Sequence, residues 1–181
     1  MSGPDRSALD TERLTLRRPR REDFEEALAM WGDPAVVRYI SGKPSTREEM
    51  WARLLRYVGH WELMGFGFWV VREKSTGRFV GEVGLANFQR DIEPPLGDAK
   101  EAGWVLSPWA HGKGFATEAV RAALRWVEDG FGPERVVCLI HPENAASLHV
   151  AHKCGFQQFA RGTYKGDPTR MLERIPEPRG S

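Results

Sequence analysis

The sequence predicts an α+β fold (mixed α/β) in a single domain, with a central mixed sheet flanked by helices. Two observations carry this. Hydrophobic periodicity alternates between the 3.6-residue repeat of helices and the two-residue repeat of strands, in the order β-α-α-β-β-β-α-β-α-β-β. Some strands are joined by tight turns and others by whole helices, so hairpins and crossovers share one core. A chain of 181 residues can bury one such core, and it shows no internal repeat, low-complexity segment or domain boundary.

Each element has its own signal. Residues 1–10 are small and polar and are expected to be disordered; residues 176–181 are expected to form a flexible tail. Arg13-Leu14-Thr15-Leu16-Arg17 alternates as a half-buried strand does, and Pro19 ends it. Phe24, Ala27, Leu28 and Trp31 recur at helical spacing behind Glu22 and Asp23, acids that suit a helix N-terminus. Asp33-Pro34 breaks this helix, and a short helical piece follows as far as Tyr39. Ser45 or Thr46 caps the next helix, which carries Met50, Trp51, Leu54, Leu55, Val58 and Trp61 on one face.

The period then changes. Residues 67–71 and 79–85 read as strands joined by a turn at Ser75-Thr76-Gly77. Residues 89–99, with Pro94, Pro95 and Gly97, read as a loop, and 101–106 as another strand. Ala119, Val120, Ala123, Leu124 and Val127 place one buried face on a helix over 116–128. Residues 136–140 form a buried strand. A helix over 144–153 is closed by Gly155, and a hairpin over 156–164 and 169–175 completes the domain, 11–175.

Composition excludes several functions. Lys and Arg number 26 against 25 Asp and Glu, so the net charge of +1 lacks the basic excess of a nucleic-acid binder. The arginines of residues 13–21 read as a solvated strand edge. No apolar run approaches the ~20 residues of a membrane span, the N-terminus lacks an apolar signal core, and Cys138 and Cys154 make no secretory disulfide framework. A cytoplasmic protein is expected, with no membrane or nucleic-acid partner.

The chemistry concentrates in Val105-Leu106-Ser107-Pro108-Trp109-Ala110-His111-Gly112-Lys113-Gly114-Phe115-Ala116-Thr117-Glu118. A strand enters a Gly-rich turn that opens directly into a helix. Such a turn aims backbone N–H groups at one spot, and the helix N-terminus adds partial positive charge, which makes an anion site. Lys113 adds a charge. A plain strand–helix turn would use the same glycines to relieve strain. The Walker pattern fails, because Gly114 follows Lys113 and the hydroxyl for Mg²⁺ has no place. The dinucleotide pattern fails, because its third glycine is Thr117 and the strand comes fourth.

Here the sequence resembles the GNAT acetyltransferases, in particular their ribosomal-protein N-acetyltransferase-like (RimJ/RimL-type) branch. The resemblance rests on Glu101-Ala102-Gly103-Trp104 running into the loop above, and on His141-Pro142-Glu143-Asn144-Ala145-Ala146-Ser147 followed by Val150, Lys153, Gly155 and Phe156. Leu14-Thr15-Leu16-Arg17 and Gly81-x-x-Gly84-Leu85 match as well, so the likeness spans about residues 12–174. It departs at Trp109, where the wider superfamily often has Gln or Arg, and at His111, where Trp is common.

The resemblance implies a GNAT-like domain whose twisted sheet is mostly antiparallel. It implies acetyl-CoA as co-substrate, with no metal, and direct attack by a primary amine (a protein N-terminus or a small amine) in a ternary complex. His111, Gly112, Lys113, Gly114, Phe115, Ala116 and Thr117 would hold the pyrophosphate. Val105 and Leu106 would hold the pantetheine arm and polarise the acetyl carbonyl. Asn144 would bind the arm, and Ser147 would bind it and donate to the leaving sulfur; as alternatives, Asn144 is a helix cap and Ser147 a first-turn hydroxyl.

An ammonium must lose a proton before it attacks, which calls for a base. Glu101 is the first choice, against a reading as a strand carboxylate that attracts a cationic amine; Glu82 is second. Part of the ribosomal-protein branch carries a Glu in the last hairpin, and residues 157–166 hold none; Tyr164 there offers a hydroxyl or packing. Asp91, Glu93 and Asp98 either favour a cationic acceptor or form a solvated loop. By resemblance, that loop and the first helices border the acceptor site.

Two other readings compete. An acetyl-CoA sensor would keep the loop without catalysis. Cys138-x-x-His141, His149-x-x-His152 and Cys154 are zinc-ligand types, but the alternation of Val136, Cys138 and Ile140 points to the core. A homodimer is compatible with the sequence, which leaves the oligomeric state open.

Overall fold

The computed structural model describes residues 7–176. Residues 1–6 and 177–181, which hold most of the segments expected to be disordered, lie outside the described residues. Residues 7–10 are held in place, unlike the expectation for 1–10. Leu9–Asp10 forms a short strand, β1, against β2 (Leu14–Arg17), and the Ser7 carbonyl accepts the Trp69 indole N–H.

After β2 come α1 (Phe24–Trp31), α2 (Pro34–Val37) and α3 (Arg47–Met64), then β3 (Phe68–Glu73), β4 (Phe79–Ala86) and β5 (Lys100–Leu106). The chain continues through α4 (Phe115–Phe131), β6 (Val136–Ile140), α5 (Ala145–Lys153), β7 (Gln157–Tyr164) and β8 (Asp167–Arg174). The eight strands form one sheet in the order β1-β2-β3-β4-β5-β6-β8-β7. Every neighbouring pair is antiparallel except β5 and β6. This is the mixed, mostly antiparallel sheet that the sequence and its resemblance implied.

Caps mark the helix starts. Thr46 Oγ1 accepts the Glu49 N–H at 3.2 Å and Glu49 Oε2 accepts the Thr46 N–H at 2.8 Å, a reciprocal box that opens α3. Asn144 Oδ1 accepts the Ser147 N–H at 3.1 Å and opens α5. Before α1, Asp23 is buried and takes two hydrogen bonds from Arg17 at 2.8 and 2.6 Å, with Arg72 at 3.2 Å.

The helices cover both faces of the sheet. Phe115, Ala119, Val120, Ala123, Leu124 and Val127 of α4 pack with Trp69, Val71, Val83, Leu85, Ala102 and Leu106. On the other face Phe24, Ala27, Met30, Trp31, Met50 and Leu54 pack with Val70, Phe79 and Val105. One expectation for α3 is corrected: Met50, Leu54, Tyr57 and Trp61 are its buried stripe, while Trp51, Leu55 and Val58 are exposed. Steps of four, three and four residues keep the first set in line on a 3.6-residue helix. The second set is the neighbouring row, turned outward.

Candidate active site

The one parallel pairing among the described residues creates the site. β5 and β6 are in register only at Lys100–Val136 and Glu101–Val137. Beyond these pairs, residues 102–106 and 138–140 do not pair with each other, so the strands part in a V. Its open end lies where β5 leads to α4 and β6 leads to α5, so two helix N-termini face the mouth. Ligands of sheets that contain parallel strands gather at such carboxyl ends.

The Ser107 N–H donates to the Val80 carbonyl at 2.8 Å. Antiparallel pairing alternates, so Gly103 and Val105 also turn their backbone groups to β4, the Ala102 N–H closes the parallel pairing with Val137, and Trp104 and Leu106 turn their groups into the V. Of the two residues expected to hold the arm, Leu106 offers its backbone N–H to the opening and Val105 does not. Trp104 Nε1 is buried and has no hydrogen-bond partner among the described residues, which leaves one further donor there.

At the mouth, Gly112 and Gly114 have φ of +72° and +79°, in the left-handed region that a Cβ disfavours. Gly114 is the N-cap of α4, and among the described residues no side chain caps this helix. The first helical bond runs from the Glu118 N–H to the Gly114 carbonyl, so the N–H groups of Phe115, Ala116 and Thr117 remain as donors. Glycines, uncapped amides and the helix dipole together fit a diphosphate. His111 donates from Nε2 to the Leu106 carbonyl at 2.9 Å and so ties the loop to its strand. The Trp109 indole donates to the Phe79 carbonyl at 3.0 Å, with Arg78 and Lys113 against its ring.

Arg13 supports the loop from β2, which corrects its reading as a solvated edge residue. It donates to the Lys113 carbonyl at 2.9 Å, pairs with Glu118 at 2.7 Å and lies 4.7 Å from the centre of the Phe115 ring. Burial opposes ionisation of Glu118, but Thr11 and Arg13 outweigh it and hold the carboxyl below its ordinary range. No periodicity in the sequence points to this long-range tie.

Across the mouth, Asn144 spends its oxygen on the α5 cap and keeps its amide donors, and Ser147 is half-buried one turn on. Helices α4 and α5 pack together, with Arg121 donating to the Lys153 carbonyl at 2.8 Å. The predicted cofactor residues other than Val105 therefore gather around the V.

Glu101 stands at the closed end, about 16 Å along β5 from Leu106. It is buried and takes two hydrogen bonds from Arg90, at 2.6 and 2.7 Å. Arg90 lies over the rings of Phe88 and Tyr164, with centroids at 4.7 and 4.8 Å. Glu82, on β4 opposite Val105, is 1% exposed and accepts the Trp31 indole N–H at 2.8 Å. Burial pushes its carboxyl up to about 7, against the pull of Trp31 and Arg53.

Asp91, Glu93 and Asp98 are exposed. Cys138 is buried, and burial together with the Glu101 charge pushes its thiol well above the ordinary range. His149 and His152 are exposed, and among the described residues no group of three or more His, Cys, Asp or Glu side chains is placed to hold a metal. A surface groove lined by Arg21, Phe24, Arg47 and Trp51 shares no residue with the V. No helix among the described residues is long and apolar enough to cross a membrane.

Comparison with known proteins agrees with this geometry. Residues 13–157 match the family model of the acetyltransferase (GNAT) domain. The Bacillus subtilis protein YkkB is 32% identical over 93% of this chain and 96% of its own length. A GNAT-family acetyltransferase from Bordetella pertussis superposes with a TM-score of 0.83 at 28% identity, covering 93% of this chain and 99% of the other. A ribosomal-protein-S5-alanine acetyltransferase from Vibrio fischeri shares the fold, with a TM-score of 0.75 at 19% identity over 96% and 99% of the two chains. With the family model matching most of its length, the chain belongs to the GNAT acetyltransferases, enzymes that use acetyl-CoA.

Proposed function

We propose that the protein transfers the acetyl group of acetyl-CoA to a primary amine by direct attack in a ternary complex. One observation carries this reading: a single opening joins an uncapped helix N-terminus behind two left-handed glycines to a buried carboxylate at its closed end. A diphosphate at the N–H groups of Phe115, Ala116 and Thr117 would let the pantetheine arm run down the free edge of β5. Leu106 and Trp104 would hold the arm, and Asn144 would meet it from α5. The backbone N–H of Trp104, the free donor nearest Glu101 on that edge, would donate to the acetyl oxygen as charge develops there.

Glu101 is the base in this reading. It takes a proton from the acceptor ammonium, the amine nitrogen bonds to the acetyl carbon, and the carbon–sulfur bond breaks. Ser147 donates toward the leaving thiolate, and the proton released from nitrogen restores charge balance. The acceptor is a protein N-terminus or a small amine.

Measuring CoA release over a panel of amines and peptides tests the reading. Turnover with an amine that Glu101→Gln abolishes supports it. Tight acetyl-CoA binding without transfer to any amine would assign a sensor instead.

A further inference from the structure

The acceptor side of Glu101 is occupied by the protein itself. The Arg90 guanidinium sits against one carboxylate at 2.6 and 2.7 Å and against two aromatic faces at 4.7 and 4.8 Å. A carboxylate with flanking π faces is the chemistry that recognises a cation. Three separate elements build it: Glu101 from β5, Phe88 just after β4, and Tyr164 from the end of β7. Phe68 and Tyr57, stacked at 4.7 Å, extend the wall beyond Phe88.

Arg90 itself belongs to the long loop between β4 and β5 and not to the sheet. The preceding residue, Gln89, has φ of +47°, uncommon for a residue with a side chain. The cation is thus carried by a connection and its binding walls by the framework.

We propose that Glu101, Phe88 and Tyr164 form the subsite for the acceptor's primary ammonium, and that Arg90 is an internal stand-in which the acceptor displaces. This deepens the reading of the protein as an amine acetyltransferase and rests on it. Displacement exchanges one cation for another, so Glu101 never faces the box without a counter-charge. It also removes a partner whose proton does not leave, and installs an ammonium whose proton does. Glu101 then accepts that proton as the nitrogen attacks.

The test uses the full chain and an acceptor found with the amine panel. Arg90→Met keeps an apolar stem against Phe88 and Tyr164 and removes the competing charge. It should lower the acceptor KM about three- to ten-fold and leave the acetyl-CoA Kd unchanged. Methylguanidine should then compete with the acceptor more strongly than in the wild type. An acceptor KM that is unchanged or higher, with acetyl-CoA binding intact, overturns the proposal and assigns Arg90 to positioning.

A second measurement needs no variant. Phenylglyoxal should modify Arg90 of the wild type faster when acceptor is present, as read by peptide mass. Equal or slower modification overturns the proposal as well. Neither result touches the acetyltransferase reading, which fails only if the wild type acetylates no amine.

Discussion

Two carboxylates stand on the same face of β4 and β5, at opposite ends of a short aromatic wall. Glu82 pairs across to Val105, Ala86 pairs across to Glu101, and the Phe68 ring packs against Gly103 between them. The Glu101 end opens onto a loop and a guanidinium. The Glu82 end lies beneath α1 and α3, where the Trp31 indole binds it and Asp23, Arg53, Arg56 and Tyr57 are the charged or titratable groups that act on it. Glu82 titrates near neutrality, as a base should, yet burial keeps it from any amine. Glu101 is held by a cation, yet it borders the V. Reach decides between them before proton affinity does.

The largest expected effect separates the two ends directly. Glu101→Gln should lower kcat/KM by about 100- to 10,000-fold, the usual range for a lost general base. Glu82→Gln should cost less than about ten-fold, because Gln can still accept the Trp31 N–H. Steady-state kinetics with one acceptor and both variants decide this. The reverse order would make Glu82 the base and the aromatic wall its route to the amine.

Much of this architecture is legible in the chain. Helix α4 follows from periodicity because it buries one face, and the central strands follow from apolar runs bounded by turn residues because helices cover them on both faces. The cofactor loop is legible because its chemistry lies in contiguous residues and backbone geometry. The acceptor side is assembled from distant segments. Arg90 meets Glu101 only after the 89–99 loop folds back, and Arg13 meets Glu118 across more than a hundred residues. Periodicity reports which residues are apolar, not which apolar row of α3 faces inward. That is why Trp51, Leu55 and Val58 read with the buried stripe.

The second effect concerns stability. The ordinary value for Glu82 is 4.5, and in the folded chain it rises to about 7. Below pH 4.5 both states hold the proton. Between 4.5 and 7 the unfolded chain releases it while the folded chain retains it, so stability falls as pH rises and levels off above 7. The full cost is about 3 kcal/mol. Glu82→Gln should therefore gain about 1–3 kcal/mol at pH 8, once an unpaired amide donor is allowed for, and gain nothing at pH 4.5. Urea unfolding at the two pH values measures this. A gain that does not depend on pH would place the Glu82 charge in solvent and remove the contrast with Glu101.

The smallest effect sharpens the contrast from the cofactor side. Arg13 touches the Lys113 carbonyl, the Phe115 ring and Glu118, but none of the acceptor box. It is 44% exposed, so the ion pair alone contributes little. Its effect should come from holding the loop carbonyl and the first turn of α4, so that the N–H groups stay converged before a diphosphate arrives. Arg13→Ala should raise the acetyl-CoA Kd about two- to five-fold and leave the acceptor KM unchanged, with calorimetry reading the first and initial rates the second. Arg90→Met is expected to do the opposite. If Arg13→Ala instead shifted the acceptor KM, the loop and the box would move as one unit, and the two ends of the V could not be tuned separately.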